Sequence, residues 1–330
     1  MATVAAMPTT ERGTAPTVRT CYDLMTVAPA CGVTDLTDGK YADDRNGRAA
    51  YIAAQERQAE YLLDQARCSE GSRLLDIGCG YGRILEHAAR RGAKATGITI
   101  SPPQVASNRA RELDVHELNY RDIFCGQNPP LAPPCKGGDS DWEHAFDAII
   151  ANGSLEHFVQ VSDAVAGRTD AIYEELFAIC HRLLTIGGRF VTTAIHFRNV
   201  DQFDPAEISR GPYVQPRRSP EYHFALLAQR FGGWYPEPRQ LERCARPYFE
   251  LIKEEDGTHD YHRTSEYWLR RFKRKLAYDP RVWSAVARQL WQRPRAAWEM
   301  LRLQLWDQSW TWQFRPPAPM RLLRQTWAAK

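Results

Sequence analysis

The clearest chemistry in the chain is carried by Asp76, Gly78, Gly80 and Gly82, spaced D-x-G-x-G-x-G in the run Asp76-Ile77-Gly78-Cys79-Gly80-Tyr81-Gly82. Glycines at alternate positions let a backbone turn sharply and approach a ligand more closely than a Cβ would allow. The acid at the head of the loop can fix the loop or meet a polar, positively charged part of that ligand. A dinucleotide fingerprint would instead read G-x-G-x-x-G, with an acid about 20 residues on. An ordinary strand-to-helix turn accounts for one glycine but not for three in register. Cys79, inside the loop, reads as a small packing residue. Downstream, Glu156, His157 and His196 are candidates to move protons. A carboxylate becomes an effective base when burial raises its pKa, and imidazole titrates near neutrality. Each also has a plainer reading, Glu156 as an acid at a helix N-terminus and the histidines as structural residues.

These residues need a scaffold, and the pattern around them supplies one. The apolar pair Leu74 and Leu75 gives way after the loop to a helical pattern at Ile84, Leu85 and Ala88. Strands are expected over 72–78, 94–100, 115–120, 146–151 and 189–195. Helices are expected over 48–66, 81–91, 102–113 and 170–184, the third with proline in its first turn. This alternation predicts a parallel sheet with helices on both faces, which binds its ligand at the carboxyl ends of the strands. Pro129, Pro130, Pro133 and Pro134 mark 125–141 as loop. Residues 1–20 read as a disordered lead, 21–70 as a helical cap, 71–196 as the ligand-binding core and 197–246 as a lid or insertion. In 247–330, a strand over 248–253, basic helices over 261–277 and 281–301, and a closing strand over 303–314 are expected.

Composition excludes several classes. Hydrophobic content of 43% and charged content of 25% are those of a globular protein with a real core. No apolar run approaches the roughly 20 residues of a membrane span, and the first 20 residues lack the pattern of a secretory signal. Eight cysteines without a C-x-x-C pair suggest neither a zinc site nor a disulfide framework, so a metal is not expected and a reducing cytoplasm fits. The net charge of +3 hides an asymmetry. Residues 261–330 hold 15 Lys and Arg against Glu266, Asp279, Glu299 and Asp307, a local net of +11, together with eight of the ten tryptophans. Cations interleaved with indoles suit the head-group layer of an anionic membrane, which makes peripheral membrane contact an expectation. An acyl carrier is the alternative anionic partner, a solvated basic face with tryptophans in the core is the plain reading, and nucleic acid is not expected. Oligomeric state is left open.

The glycine loop is similar to the one by which class I methyltransferases hold S-adenosylmethionine. The segment Gly97-Ile98-Thr99-Ile100-Ser101-Pro102-Pro103-Gln104 narrows the likeness. Most class I enzymes end the second strand with a ribose-binding acid. Here the chain resembles the cyclopropane fatty acid synthase family, including the mycolic acid methyltransferases, which carry G-x-T-x-S-x-x-Q. Tyr120-Arg121-Asp122 resembles the family's segment beside the adenine, and Ser154-Leu155-Glu156-His157-Phe158 its F-E-H motif. Tyr261-His262-Arg263-Thr264 with Trp268 resembles its Y-x-R-T-x-x-x-W region, and Leu303-Gln304-Leu305-Trp306 the end of its phospholipid-acting members.

The resemblance implies a Rossmann-like α/β fold with a mostly parallel seven-stranded sheet, helices on both faces and an added substrate cap. It implies S-adenosylmethionine contacts at Gly78, Gly80, Thr99, Ile100, Gln104, Tyr120 and Arg121. It also implies methyl transfer to carbon of an unsaturated lipid or isoprenoid-like acceptor. The family's base is a bicarbonate held by a Cys segment, a Glu, a His and a Tyr, and only Glu156 matches cleanly. Residues 36–41 stand nearest the Cys segment, Thr193 takes the His position with His196 three residues on, and the Tyr position falls near 289–291. An anion in a dry pocket needs its donors, so the missing ones speak against bicarbonate and ring closure and leave Glu156 to act directly. N- or O-methylation of a small natural product is the rival activity, and a non-catalytic cofactor-binding or membrane-docking relative is the rival class.

Overall fold

The structure is a computed structural model that describes residues 27–33, 35–124 and 142–330. The lead expected over 1–20 and the proline-rich loop over 125–141 lie outside the described residues. Seven strands, β1 (Arg73–Ile77), β2 (Lys94–Thr99), β3 (Asp114–Glu117), β4 (Phe146–Asn152), β5 (Leu184–Phe197), β6 (Phe249–Asp256) and β7 (Met320–Ala329), form one sheet in the order β3-β2-β1-β4-β5-β7-β6. The first five run parallel, and β7 lies antiparallel between β5 and β6. β1 and β4 are covered on both faces, so Leu74, Leu75, Ile149 and Ile150 are all fully buried and no polar alternation is needed.

The helices follow from apolar stripes. In α1 (Arg48–Gln65) the buried positions Tyr51, Ala54, Gln55, Gln58, Ala59, Leu62 and Leu63 share one face. α2 (Arg83–Arg90) and α3 (Pro102–Arg109) flank the first two strands, and α4 (Thr169–Leu183) buries Ile172, Tyr173, Leu176, Phe177 and Cys180. Strand order reverses between β1 and β4, which opens a crevice at their carboxyl ends. The glycine loop and the Glu156 turn both leave the sheet there.

Several boundaries differ from the sequence reading. The third strand ends at Glu117, because the Asn119 side chain accepts from the Arg121 N–H (3.1 Å) and winds 120–122 into a tight turn. The closing strand is not 303–314. Those residues form a wide helical turn (Arg302–Trp306) and a short helix (Ser309–Trp312). Their polar groups are tied to a distant helix instead of a strand partner, with the Tyr222 hydroxyl donating to Asp307 (2.7 Å) and His223 paired with Ser309 (2.8 Å). The sheet closes with β7 instead. Flanked by strands on both sides, it buries Leu322, Leu323, Arg324, Gln325, Thr326 and Trp327 in succession, so it has no alternation to read. Within 197–246, α5 (Pro220–Phe231) buries Tyr222, Phe224, Leu226 and Leu227, which makes this stretch a packed insertion. The C-terminal basic part contains α6 (Thr258–Tyr278), α7 (Pro280–Gln292) and α8 (Pro294–Leu301). Its tryptophans divide: Trp327 is fully buried, whereas Trp283, Trp291, Trp298 and Trp306 are exposed.

Candidate active site

Gly78, Gly80 and Gly82 all adopt left-handed backbone, with φ of +80°, +53° and +76°. They differ in what surrounds them. A Cβ on Gly78 would sit 2.6 Å from the Ser154 Cβ, and one on Gly82 would sit 2.6 Å from the Asn108 Oδ1, so these two let neighbouring elements close in. A Cβ on Gly80 would meet nothing within 4 Å. Gly80 thus presents bare backbone to open space at the crest of the loop, which suits a ligand lying against it. The loop is braced from three sides. Gly78 N–H and Cys79 N–H donate to the Ile98 carbonyl (2.9 and 3.1 Å), the Ser154 hydroxyl donates to the Ile77 carbonyl (2.9 Å), and the Asn108 amide donates to the Gly80 carbonyl (2.8 Å). Sequence reasoning missed Asn108. Its signal was a polar side chain on the inward face of α3, where it needs a partner. Asp76 is buried, and burial, with the charge of Asp35, pushes its carboxyl up to about 8. A cationic ligand group beside it would restore the carboxylate.

The second strand delivers the next pair. The Thr99 hydroxyl donates to the Gln104 amide oxygen (2.7 Å) and accepts from the Ser101 N–H (3.3 Å), both side chains being buried. Ile100 lies between them at the strand end. Tyr120 is buried with its ring 4.5 Å from that of Phe158, and Arg121 lies over the Tyr120 ring (5.7 Å) while pairing with Glu175 (2.9 Å). The residues expected to contact S-adenosylmethionine thus follow the carboxyl ends of three adjacent parallel strands, β1, β2 and β3.

Glu156 follows β4 and is 4% exposed. One carboxylate oxygen accepts from the Ile195 N–H of β5 (2.8 Å), and the other is buried with no hydrogen-bond partner. Burial pushes the carboxyl up to about 7 against these backbone bonds, with Asp38's charge adding to the rise. The two histidines are in a different state. His157 Nδ1 pairs with the Phe231 carbonyl (3.0 Å), and burial lowers it to about 4. Burial lowers His196 to about 3, offset in part by the Glu237 backbone. Both rings are neutral at physiological pH and embedded in structure. Thr193, at the family's His position, donates its hydroxyl to Asn152 (2.5 Å). Sequence reasoning also missed Gly233, where a Cβ would fall 1.9 Å from the Glu156 carbonyl. This glycine lets the end of α5 press on the Glu156 turn.

Residues 35–40 pack beside the crevice. Asp35 pairs with Arg83 at the foot of the glycine loop (3.1 Å), and the Thr37 methyl faces Gly153. Asp38 is buried, accepting from Gln58 (3.1 Å) and pairing with Arg324. Arg324, fully buried on β7, also reaches Asp260 (2.8 Å) and Glu255 (3.2 Å), while Lys40 pairs with Glu255. Burial pushes Asp38 up to about 6 against the pull of Arg324, so it is still ionised at neutral pH. Arg324 is therefore a staple between sheet, α6 and residues 35–41. Beside them opens an apolar cleft of about 820 Å³ counting its mouth, walled by Leu36, Trp268, Phe272, Val286, Met300 and Leu301, with Gln289 and Gln304 its polar side chains. Among the described residues there is no His, Cys, Asp or Glu cluster suited to a metal ion, and no helix long and apolar enough to cross a membrane. The described cysteines (31, 68, 79, 180 and 244) are free and buried.

A sheet of this order, with its seventh strand antiparallel and a glycine loop at the switch point, defines a class I methyltransferase fold. The sequence model of the mycolic acid cyclopropane synthetase family matches residues 45–296, and the chain belongs to that family of S-adenosylmethionine-dependent methyltransferases. It is 34% identical over 181 residues to a ubiquinone biosynthesis O-methyltransferase of Alkalilimnicola ehrlichii, covering 54% of this chain and 60% of that one. It is 25% identical over 225 residues to the cyclopropane-fatty-acyl-phospholipid synthase of Escherichia coli K12, covering 67% and 47%. The matched stretches thus span less than two thirds of these relatives. Among solved structures, a cyclopropane synthase from Mycobacterium tuberculosis superposes with a TM-score of 0.69 at 17% identity, covering 95% of this chain and 98% of that one, a likeness of fold.

Proposed function

We propose that the chain transfers the methyl group of S-adenosylmethionine to a carbon of an unsaturated, hydrophobic acceptor, a lipid or isoprenoid-like chain, with Glu156 as the base. The observation that carries the reading is Glu156 itself: a buried carboxylate, one oxygen held by the Ile195 N–H, the other unpartnered, with its pKa raised to about 7. A group in that state is matched to accepting a proton near neutral pH. The backbone of Gly78, Gly80 and Gly82 would hold the methionine part of the donor, with Asp76 facing its ammonium. Thr99, Ile100 and Gln104 would hold the ribose, and Tyr120 and Arg121 the adenine. When bound, the sulfonium supplies an electrophilic methyl. The chain's residues exclude water with the 35–41 segment and seat the acceptor in the apolar cleft. Glu156 takes the proton lost as the methylated acceptor returns to a neutral alkene.

The residues present do not suit a bicarbonate. Thr193 directs its hydroxyl to Asn152, and both histidines near Glu156 are held neutral by burial. Loss of a proton to Glu156 from the chain carbon beside the cation gives a methyl-branched alkene, whereas loss from the transferred methyl would close a ring. A second reading, N- or O-methylation of a small natural product, draws on the 34% identity to the ubiquinone biosynthesis O-methyltransferase. The deciding experiment is incubation with methyl-labelled S-adenosylmethionine and a cell lipid extract, followed by mass spectrometry. A lipid heavier by about 14 mass units plus the isotope excess of the label supports the reading, with fragmentation locating the new carbon on the chain. Label found only on oxygen or nitrogen, or on no lipid at all, refutes it.

A further inference from the structure

Helices α7 and α8 have two faces with different surroundings. The inner face walls the apolar cleft through Val286 and Gln289 on α7, and through Ala297, Met300 and Leu301 on α8. The outer face carries Trp283, Trp291 and Trp298, which are 49%, 89% and 53% exposed. Trp306 follows at 52%, its ring 5.3 Å from that of Trp298. The Trp298–Trp306 pair, exposed and in ring contact, forms an apolar patch of the kind that marks an interaction surface, and Trp283 and Trp291 add exposed indole on the neighbouring helix. The same segment carries the exposed cations Arg281, Arg288, Arg293 and Arg295, with Lys273 and Arg274 near the end of α6. Between 270 and 301 the only acids are Asp279 and Glu299. Asp279 is bound to Lys275, and Glu299 is 4% exposed, bound to Arg230 and Arg295. Within 270–301, then, neither carboxylate is exposed beside the arginines.

We propose that this face docks on an anionic lipid surface and sets the mouth of the cleft against the bilayer that holds the acceptor; the proposal rests on the hydrophobic-acceptor reading above. Charge alone would fit an acidic carrier protein equally well. The exposed indoles decide for lipid, because they partition into the head-group layer while neighbouring arginines meet anionic phosphates. Helices of 13 and 8 residues are too short to span a bilayer but long enough to lie in its interface. One pair of helices thus serves as both cleft wall and docking face. A lipid chain could enter from the membrane without crossing water.

The test uses the full-length chain with vesicles of phosphatidylglycerol and phosphatidylcholine, compared with phosphatidylcholine alone. Sedimentation and tryptophan emission report binding. Binding is expected on the anionic vesicles, with a blue shift in emission, and is expected to weaken with salt over a Debye length of about 8 Å. Arg281→Glu with Arg288→Glu, and separately Trp291→Ser, should each weaken vesicle binding by roughly tenfold or more. Both lie outside the cleft wall and the glycine loop, so S-adenosylmethionine affinity by calorimetry should be unchanged. Equal binding to neutral vesicles, no binding to either, or variants that bind like the parent would overturn the proposal. Retention on an acyl carrier protein in the absence of vesicle binding would overturn it too. If vesicles bind as expected but no lipid is methylated, docking stands and the acceptor reading fails.

Discussion

Replacing Glu156 with glutamine preserves the side-chain shape and the hydrogen bond from the Ile195 N–H, and it removes the basicity. Burial pushes the native carboxyl up to about 7, and only the ionised form accepts a proton. Turnover limited by proton removal should therefore climb with pH, to roughly a tenth of its plateau at pH 6, half at pH 7 and nine tenths at pH 8. The variant should lose about 100-fold or more in kcat, worth ~2.7 kcal/mol of transition-state stabilisation, and its residual rate should lack that pH limb. Cofactor affinity should change little. Stability gives a second readout. The ordinary value for glutamate is 4.5, so between about 4.5 and 7 the native state binds more protons than the unfolded one. Stability then falls as pH rises through that window, by at most about 3 kcal/mol, and Glu156→Gln should abolish this slope. The assays are single-turnover methyl transfer across pH 5.5–8.5 (roughly the range that brackets the limb) and urea unfolding at the same pH values. A variant that turns over normally, or that keeps the same pH limb, would show that Glu156 is structural and another group takes the proton.

Gly80→Val places a β-branched side chain at φ +53° where the loop faces open space. It should abolish S-adenosylmethionine binding by calorimetry while unfolding stays cooperative, with about 1–2 kcal/mol lost to backbone strain; unchanged affinity would sink the assignment of the loop. Arg324→Met strands Asp38, Asp260 and Glu255 around an apolar side chain, which should cost about 3–5 kcal/mol in urea unfolding. Adding Asp38→Asn should recover part of that loss, and a loss under about 1 kcal/mol would show that the pairs are solvent-screened.

The core from β1 to β5 was legible because its signals are local. Three glycines with positive φ, a Thr–Gln pair five residues apart and stripes of Leu and Ile each depend on neighbours in sequence. Glu156 was legible as a residue but not as an environment: its partner Ile195 is 39 residues away, and Gly233, which lets the chain press on its carbonyl, lies further still. The misplaced closing strand has a similar cause. Leu303–Phe314 is rich in aromatics because α5 packs against it, with Trp310 on the Phe231 ring (4.6 Å). β7 shows no alternation because it is flanked by strands on both edges and covered on both faces.

Arg324 shows how far such masking goes. Nothing in its neighbouring sequence marks this arginine as buried. In the fold it is fully buried, and what makes that tolerable is a set of acids from three distant places: Asp38, Glu255 and Asp260. The same arginine thereby anchors residues 35–41 beside the crevice, where Asp38 contributes to the raised pKa of Glu156. Arg324 thus bears on Glu156 through Asp38: it holds that carboxylate in place, and the charge of Asp38 adds to the rise in the Glu156 pKa. Loss of Arg324 should therefore reach beyond stability. With the anchor gone, residues 35–41 would open the crevice to water, solvate Glu156 and draw its pKa back towards 4.5, so the pH limb of the remaining activity should move to lower pH. A limb that stays near 7 in Arg324→Met would separate the staple from the site.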